Sequence, residues 1–269
     1  EHISGVPALS MIPLIGVEGA KIIGTQGDDA ALLESFRILR NNISFSCVDR
    51  ELKMLAVTSS NRGEGKSTTI ANLAIAMAMD GKRVLLVDLD LRRPTQHTIF
   101  GLSRSQGFSS VITGQCSIDE AIHTTRVENL SILPSGPTPP NPPELLNSKR
   151  AKEVLRDLSA QYDLLLLDCT PCVGLSDAQV VASQADAVVL VASMNETPKP
   201  MFQVAARVLA QVRAPLVGTV LNKMQVRRQS YYDYYYCSHY AYCEYGDESA
   251  ETPRKKRWSF GKGSGRKAA

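Results

Sequence analysis

The chain has 269 residues, 43% of them hydrophobic, and a formal net charge of +3, as suits one soluble α/β domain with a substantial core plus extensions. No apolar run approaches about 18 residues, so nothing in it spans a membrane, and so small a net charge carries no whole-molecule argument for nucleic acid. The six cysteines form no even disulfide framework and read as reduced thiols. No signal peptide is visible, and a start at Glu1 rather than Met leaves room for a membrane-embedded part upstream.

Residues 1–29 mix Gly, Pro and apolar residues without a period and read as a connecting arm, with one short strand around Met11 to Ile15. From Ala30 the pattern changes: Leu32, Phe36, Leu39 and Ile43 recur at helical spacing. Glu34, Arg37 and Arg40 lie three residues apart on another stripe of that helix. That charged face is either solvated, with weak internal ion pairs, or a contact surface.

Met54–Val57 has the length of a buried strand, and Ile70–Met79 is apolar as a helix packed on a sheet would be. Between them runs Thr58-Ser-Ser-Asn-Arg-Gly-Glu-Gly-Lys-Ser-Thr-Thr69, a Walker A sequence in its expected strand–loop–helix setting. The turn sits at a helix N-terminus, where unpaired N–H groups and the helix dipole hold phosphate. Gly63 and Gly65 let the backbone close around the anion, Lys66 can reach the outer phosphates, and the Ser67 hydroxyl can take a magnesium position. Glu64 and Thr68 complete the nucleotide-contacting stretch. Ser60 stands where the strict pattern has Gly, and Ser is small enough for such a turn.

Asp80-Gly-Lys82 reads as a helix stop, and Arg83–Asp90 as a second buried strand ending in Asp88 and Asp90. On a regular strand both carboxylates point to one side, at the end of the sheet where a metal or a base belongs. Residues 101–150 are less informative: a short helix over Asp119–His123, a strand over Leu130–Leu133, and a helix over Glu144–Ala160. The Pro-rich loop 134–143 is either a lid or partner contact, or a rigid surface connection.

Tyr162–Asp168 is a third apolar strand ending in an acid, the Walker B form, with Asp168 placed for magnesium. Cys169-Thr-Pro-Cys172 read alone is a redox motif, but its place after that acid, and not at a thioredoxin-like helix start, argues against redox work. Helices over 176–183 and 200–212 alternate with strands over 187–191 and 216–221, predicting a mostly parallel sheet covered on both faces. Asn222, just past the last strand, is a candidate for reading the base or an ordinary turn Asn. Of the nine tyrosines, eight (Tyr231, Tyr232, Tyr234, Tyr235, Tyr236, Tyr240, Tyr242 and Tyr245) crowd into 231–245, a stretch without aliphatic residues for a core that reads as an exposed tail. Cys237, His239 and Cys243 are too irregularly spaced there to make a convincing metal site. From Arg254 onward there are seven Lys or Arg and no acid: a solvated tail, or a dock for anionic headgroups.

Three nucleotide motifs followed by a tyrosine cluster resemble the bacterial tyrosine autokinases of capsule and exopolysaccharide synthesis, over about residues 30–245. Walker A, Val-Leu-Leu-Val-Asp-Leu-Asp-Leu-Arg-Arg-Pro and Leu-Leu-Leu-Leu-Asp-Cys-Thr-Pro stand in family form, and a Ser at position 60 is common there. Glu34, Arg37 and Arg40 are similar to the family's Glu-x2-Arg-x2-Arg helix, which turns that face toward a subunit contact. Asn141-Pro-Pro-Glu-Leu-Leu146 is also similar to a family loop. Cys169 and Cys172 depart from the Ser or Thr, and then Pro, that usually follow the Walker B acid.

The resemblance implies a P-loop kinase domain over 30–230, the tyrosine cluster over 231–245 and a basic tail over 246–269. ATP and Mg2+ are the implied cofactors, and the implied reaction is transfer of the γ-phosphoryl group to tail tyrosines of a neighbour in a ring-like homo-oligomer. Lys66 then holds the phosphates, Ser67, Asp90 and Asp168 serve the metal, and Asp88 is the candidate to accept the tyrosine proton, with Asp90 assisting. Implied partners are a transmembrane activator, fused or separate, and a cognate tyrosine phosphatase, at the cytoplasmic face of the bacterial membrane and without nucleic acid. A partition or placement ATPase is the rival; such relatives carry an additional Lys at the position of Asn61 and no tyrosine tail. A nucleotide-sensing scaffold is separated only by an activity assay.

Overall fold

In the computed structural model, which describes residues 5–14, 22–23 and 30–225, the apolar runs become the strands of a single sheet. An edge strand β1 (Ala8–Pro13) precedes the long helix α1 (Ala30–Ser46), and β2 (Met54–Ser59) leads through the Gly-rich turn into α2 (Lys66–Ala78). β3 (Val84–Asp88) is followed by three short helices, α3 (Gln96–Ile99), α4 (Phe108–Ile112) and α5 (Ile118–Ala121), and by the paired strands β4 (His123–Thr124) and β5 (Leu130–Leu133). α6 (Pro142–Asn147) and α7 (Lys149–Gln161) lead to β6 (Leu164–Asp168), after which come α8 (Asp177–Ala182), β7 (Ala187–Ser193), α9 (Lys199–Gln211) and β8 (Leu216–Met224).

The strand order is β1-β8-β7-β2-β6-β3-β5-β4, parallel throughout except for the β4–β5 pair. From β2 the chain returns through β3 and β5 on one side, and after β6 it crosses to β7 and β8 on the other. A crevice therefore opens above the carboxyl ends of β2 and β6, the switch point where ligands bind in such sheets.

Alternation explains why the strands read as unbroken apolar runs. Val84 and Leu86 face one core layer and Leu85 and Val87 the other, and Leu164, Leu166 against Leu165, Leu167 repeat this in β6. α1 and α2 fill the first layer, with Ile99 of α3 packed against it; α4 to α9 fill the second. Helix α2 is buried on nearly every side, which is why its sequence lacks a polar stripe.

Several elements differ from the sequence expectation. The arm holds β1, which pairs with β8 in the same sheet, and Asn42 Nδ2 of α1 donates to the Leu9 carbonyl at 2.7 Å. The expected helix 144–160 is two helices, because Ser148 is extended and its Oγ accepts from the Ala151 N–H at 3.1 Å, restarting the helix as an N-cap. Thr95 and Gly107 open α3 and α4, short helices that no hydrophobic period announces. The last strand runs on to Met224, so Asn222 lies within it, paired with Ser193. The described residues fall in a unit spanning 1–228; the tyrosine cluster, Cys237, His239, Cys243 and the basic tail fall in 229–269, outside the described residues.

β1 packs where Gly218 leaves room: a Cβ there would stand 2.4 Å from Leu9 Cγ. Gly218→Val should therefore overpack this seam and cost about 1–3 kcal/mol. Urea unfolding checks the cost, and limited proteolysis should show faster cleavage within 5–14; unchanged protection there would mean that β1 docks independently of this contact.

Candidate active site

The Gly-rich turn owes its shape to two left-handed glycines and one buried acid. Gly63 (φ +80°) and Gly65 (φ +90°) adopt a backbone region that L side chains avoid, and Gly65 caps α2. A Cβ on Gly65 would fall 2.0 Å from Asn222 Nδ2, the same nitrogen that donates to the Glu64 carbonyl at 2.9 Å. The Glu64 carboxylate turns inward: Oε2 accepts from the N–H groups of Ser60 at 2.8 Å and Asn61 at 3.1 Å, and Oε1 from Thr197 Oγ1 at 2.6 Å. Its side chain is thus spent holding the loop, with only its backbone left for a ligand.

Above the turn lies a cavity of about 640 Å³ whose walls include Gly63, Gly65, Lys66, Ser67, Thr68, Asp90, Arg92, Arg93 and Asn222. At its floor the Lys66 ammonium is held by three oxygens: Ser67 Oγ at 3.0 Å, Asp90 Oδ2 at 3.0 Å and Asp168 Oδ1 at 3.2 Å. Burial alone would lower the Lys66 pKa, but Asp168 and Asp90 outweigh it and hold the ammonium above its ordinary value. A positive charge therefore already stands where two carboxylates and a hydroxyl converge, the hard-oxygen donor set that suits magnesium. Among the described residues no three His, Cys, Asp or Glu form a metal cage by themselves, so a magnesium ion there would take its remaining ligands from water and phosphate.

The two acids at the end of β3 differ in their partners. The strand ends at Asp88, whose Oδ1 accepts from the Asp90 N–H at 3.2 Å and whose Oδ2 accepts from Thr95 and Gln96 N–H, each at 3.0 Å. Asp90 lies beyond the strand in the loop and faces Lys66 and the cavity. Burial first, then the charge of Asp168, pushes Asp88 up to about 7, against the pull of the Gln96 N–H and Lys66.

Sequence reasoning passed over Gln96 and Asp177. Gln96 is fully buried, with Nε2 donating to Asp168 Oδ2 at 2.7 Å and to the Ser67 carbonyl at 3.1 Å. Asp177, at the start of α8, pairs bidentately with Arg92 at 2.8 and 3.1 Å and pins the loop after β3. Their only signal is the turn chemistry of Arg92-Arg-Pro-Thr95 and of Ser176-Asp177. Glu34 and Arg37 pair with each other at 3.6 Å on the surface, whereas Arg40 reaches Asp80 at 2.9 Å and the Ala76 carbonyl at 3.4 Å, clamping α1 to the end of α2. Cys169 and Cys172 are buried in the second core layer; burial pushes Cys172 up to about 11 and Cys169 higher still. Burial disfavours the thiolate in both, which argues against the redox reading.

Two measurements follow from these environments. Folded Asp88 binds its proton more tightly than the unfolded chain does, so its stabilising contribution is full below the ordinary 3.8 and is lost as pH rises toward about 7. Asp88→Asn should gain stability relative to the parent chain across that window; magnesium-free urea midpoints that differ by a constant amount would refute the shift. Iodoacetamide at neutral pH should leave Cys169 and Cys172 unmodified until the protein is unfolded, as mass spectrometry of peptides would show.

The profile of the AAA domain family matches residues 52–199. Tyrosine-protein kinase YwqD of Bacillus subtilis (strain 168) is 43% identical over 202 residues, 75% of this chain and 85% of YwqD. The crystal structure of the chimerical protein CapA2B2 superposes with a TM-score of 0.78 at 34% identity, covering 83% of this chain and 96% of that one. The septum site-determining protein MinD of Pyrococcus horikoshii OT3, complexed with Mg-ADP, has a TM-score of 0.55 at 24% identity, covering 67% of this chain and 76% of its own, a likeness of fold alone. Among the described residues no helix is long and apolar enough to cross a membrane.

Proposed function

This chain belongs to the bacterial tyrosine-protein kinases, and from that premise we propose that it transfers the γ-phosphoryl group of ATP to its own tyrosines 231, 232, 234, 235, 236, 240, 242 and 245. The observation that carries this reading is the Lys66 ammonium gathered by Ser67, Asp90 and Asp168 at the floor of a cavity of about 640 Å³. A cation-centred floor beneath a helix N-terminus suits a triphosphate, and phosphoryl transfer asks the protein mainly for positioning and charge.

In the proposed mechanism the backbone N–H groups around Gly63 and Gly65 and the first turn of α2, including Thr68, bind phosphate oxygens. Lys66 exchanges its carboxylate partners for the outer phosphates. Ser67, Asp90 and Asp168 would hold magnesium, which when bound neutralises charge on the transferring group. A tyrosine hydroxyl, with an ordinary pKa of about 10, must lose its proton as its oxygen forms the new bond. Asp88 is the proposed acceptor: a carboxylate pushed up to about 7 is matched to neutral pH. It lies beneath the loop of residues 90–96, so that loop must yield before a tyrosine reaches it, while Asp90 assists from the cavity wall. Asn222 would border the base, from a side chain already bonded to Glu64.

The acceptors would come from a neighbouring copy in a ring, with Glu34 and Arg37 of α1 offered to the contact and Arg40 stiffening that helix from within. The activity would regulate capsular or exopolysaccharide polymerisation and export at the cytoplasmic face of the membrane, with a transmembrane activator and a tyrosine phosphatase as partners. The likeness to MinD is one of fold, and the tyrosine cluster at 231–245 has no place in a placement ATPase.

Incubation with magnesium and ATP, followed by mapping of phosphotyrosine by mass spectrometry, tests the reading. Lys66→Met should lower labelling of 231–245 by about 100-fold or more with an unchanged circular dichroism spectrum. Undiminished labelling in that variant would refute it.

A further inference from the structure

Gln96 reaches both sides of the cation-binding floor through its backbone and its amide. Its backbone N–H donates to Asp88 Oδ2 at 3.0 Å, and its Nε2 to Asp168 Oδ2 at 2.7 Å and to the Ser67 carbonyl at 3.1 Å. One fully buried residue thus bonds the ends of β3 and β6 and the first turn of α2. The amide orientation follows from the chemistry of its neighbours: turning it over would set Oε1 against a carboxylate oxygen and a carbonyl, both acceptors.

Burying this amide satisfies its nitrogen and leaves its oxygen unsatisfied. Its Oε1 is buried without a partner. A leucine of similar volume would fill the space without the orphaned Oε1, but it would take the donor away from Asp168 Oδ2 and the Ser67 carbonyl, so packing alone does not account for a glutamine here. The reason lies in what Nε2 does. It occupies Oδ2 of Asp168 and leaves Oδ1 as the oxygen turned to the Lys66 ammonium, at 3.2 Å. It also anchors the main chain of Ser67, whose Oγ faces the same ammonium at 3.0 Å. Being neutral, it can hold a carboxylate without competing for the cation's place.

We propose that Gln96 is a positioning residue for the metal subsite, orienting Asp168 and Ser67 so that their free oxygens converge on a divalent cation bound with the nucleotide. The proposal rests on the nucleotide reading of the cavity above. Bonds of this outer kind fix the rotamer of a ligand and are worth about 10- to 100-fold in metal affinity when removed.

Calorimetric titration with ADP, in magnesium chloride and separately in EDTA, tests it on the full chain. Gln96→Leu should bind ADP in EDTA as the parent does and lose about tenfold or more of the extra affinity that magnesium confers. Gln96→Asn, which keeps the amide but is one methylene too short to reach Asp168, should show the same selective loss and stands in if the leucine variant does not fold. A magnesium increment equal to the parent's in both variants overturns the assignment. So does an equal loss in EDTA and in magnesium, which would make Gln96 a general support of the loop. Failure of the parent chain to bind ADP with magnesium would instead overturn the nucleotide reading.

Discussion

The Lys66 ammonium, closed in between Asp90 and Asp168, is the contact on which the rest of the site depends. Asp88, Asp90 and Asp168 are all buried at neighbouring strand ends, Asp88 and Asp168 in direct register between β3 and β6. Carboxylates brought so close repel one another in a poorly screened interior, and one cation must be shared among them. Asp88 is the acid left without a direct bond to that cation, and its proton is held up to about 7. Removing a partner from such a cluster leaves an uncompensated buried charge, whereas the intact pair adds little net stability. Its arrangement therefore fits a device for exchanging one cation for another better than a device for holding the fold together.

Around this centre the loops are fixed by groups that bring no competing positive charge. Glu64 gathers the N–H groups of Ser60 and Asn61, Asn222 reaches the Glu64 carbonyl, and Asp88 gathers the N–H groups of Thr95 and Gln96. Arg92, the exception, is matched bidentately by Asp177. Electrostatic preorganisation of this kind holds the Gly-rich turn before any ligand arrives, whereas the bonds of Asp88 to Thr95 and Gln96 are the ones that the proposed mechanism would have the loop give up.

The fold is shared with a septum site-determining protein, MinD. Fold therefore does not decide what accepts the phosphoryl group. The identity shared with tyrosine-protein kinases over most of the chain, and the tyrosines after the last strand that are proposed as acceptors, carry that distinction.

The sequence by itself determined the sheet class, the strand–turn–helix setting of Lys66 and the acids at the ends of β3 and β6, because apolar runs and glycine spacing are local signals that one segment can carry alone. It also marked the tyrosine cluster by composition. Tertiary structure alone decided what each polar side chain faces. Arg40 looks like its stripe-mates Glu34 and Arg37 but is drawn to Asp80, and Asp88 and Asp90 look like a matched pair until the strand ends between them. β1 joins the sheet only because β8 offers it an edge and Gly218 the space. Gln96 lies 29 positions from Ser67 and 72 from Asp168, so no spacing in the chain could announce that its amide would join them. Hydrogen bonds between distant segments depend on the packing of the sheet that brings those segments together, and that packing is the part a linear pattern does not encode.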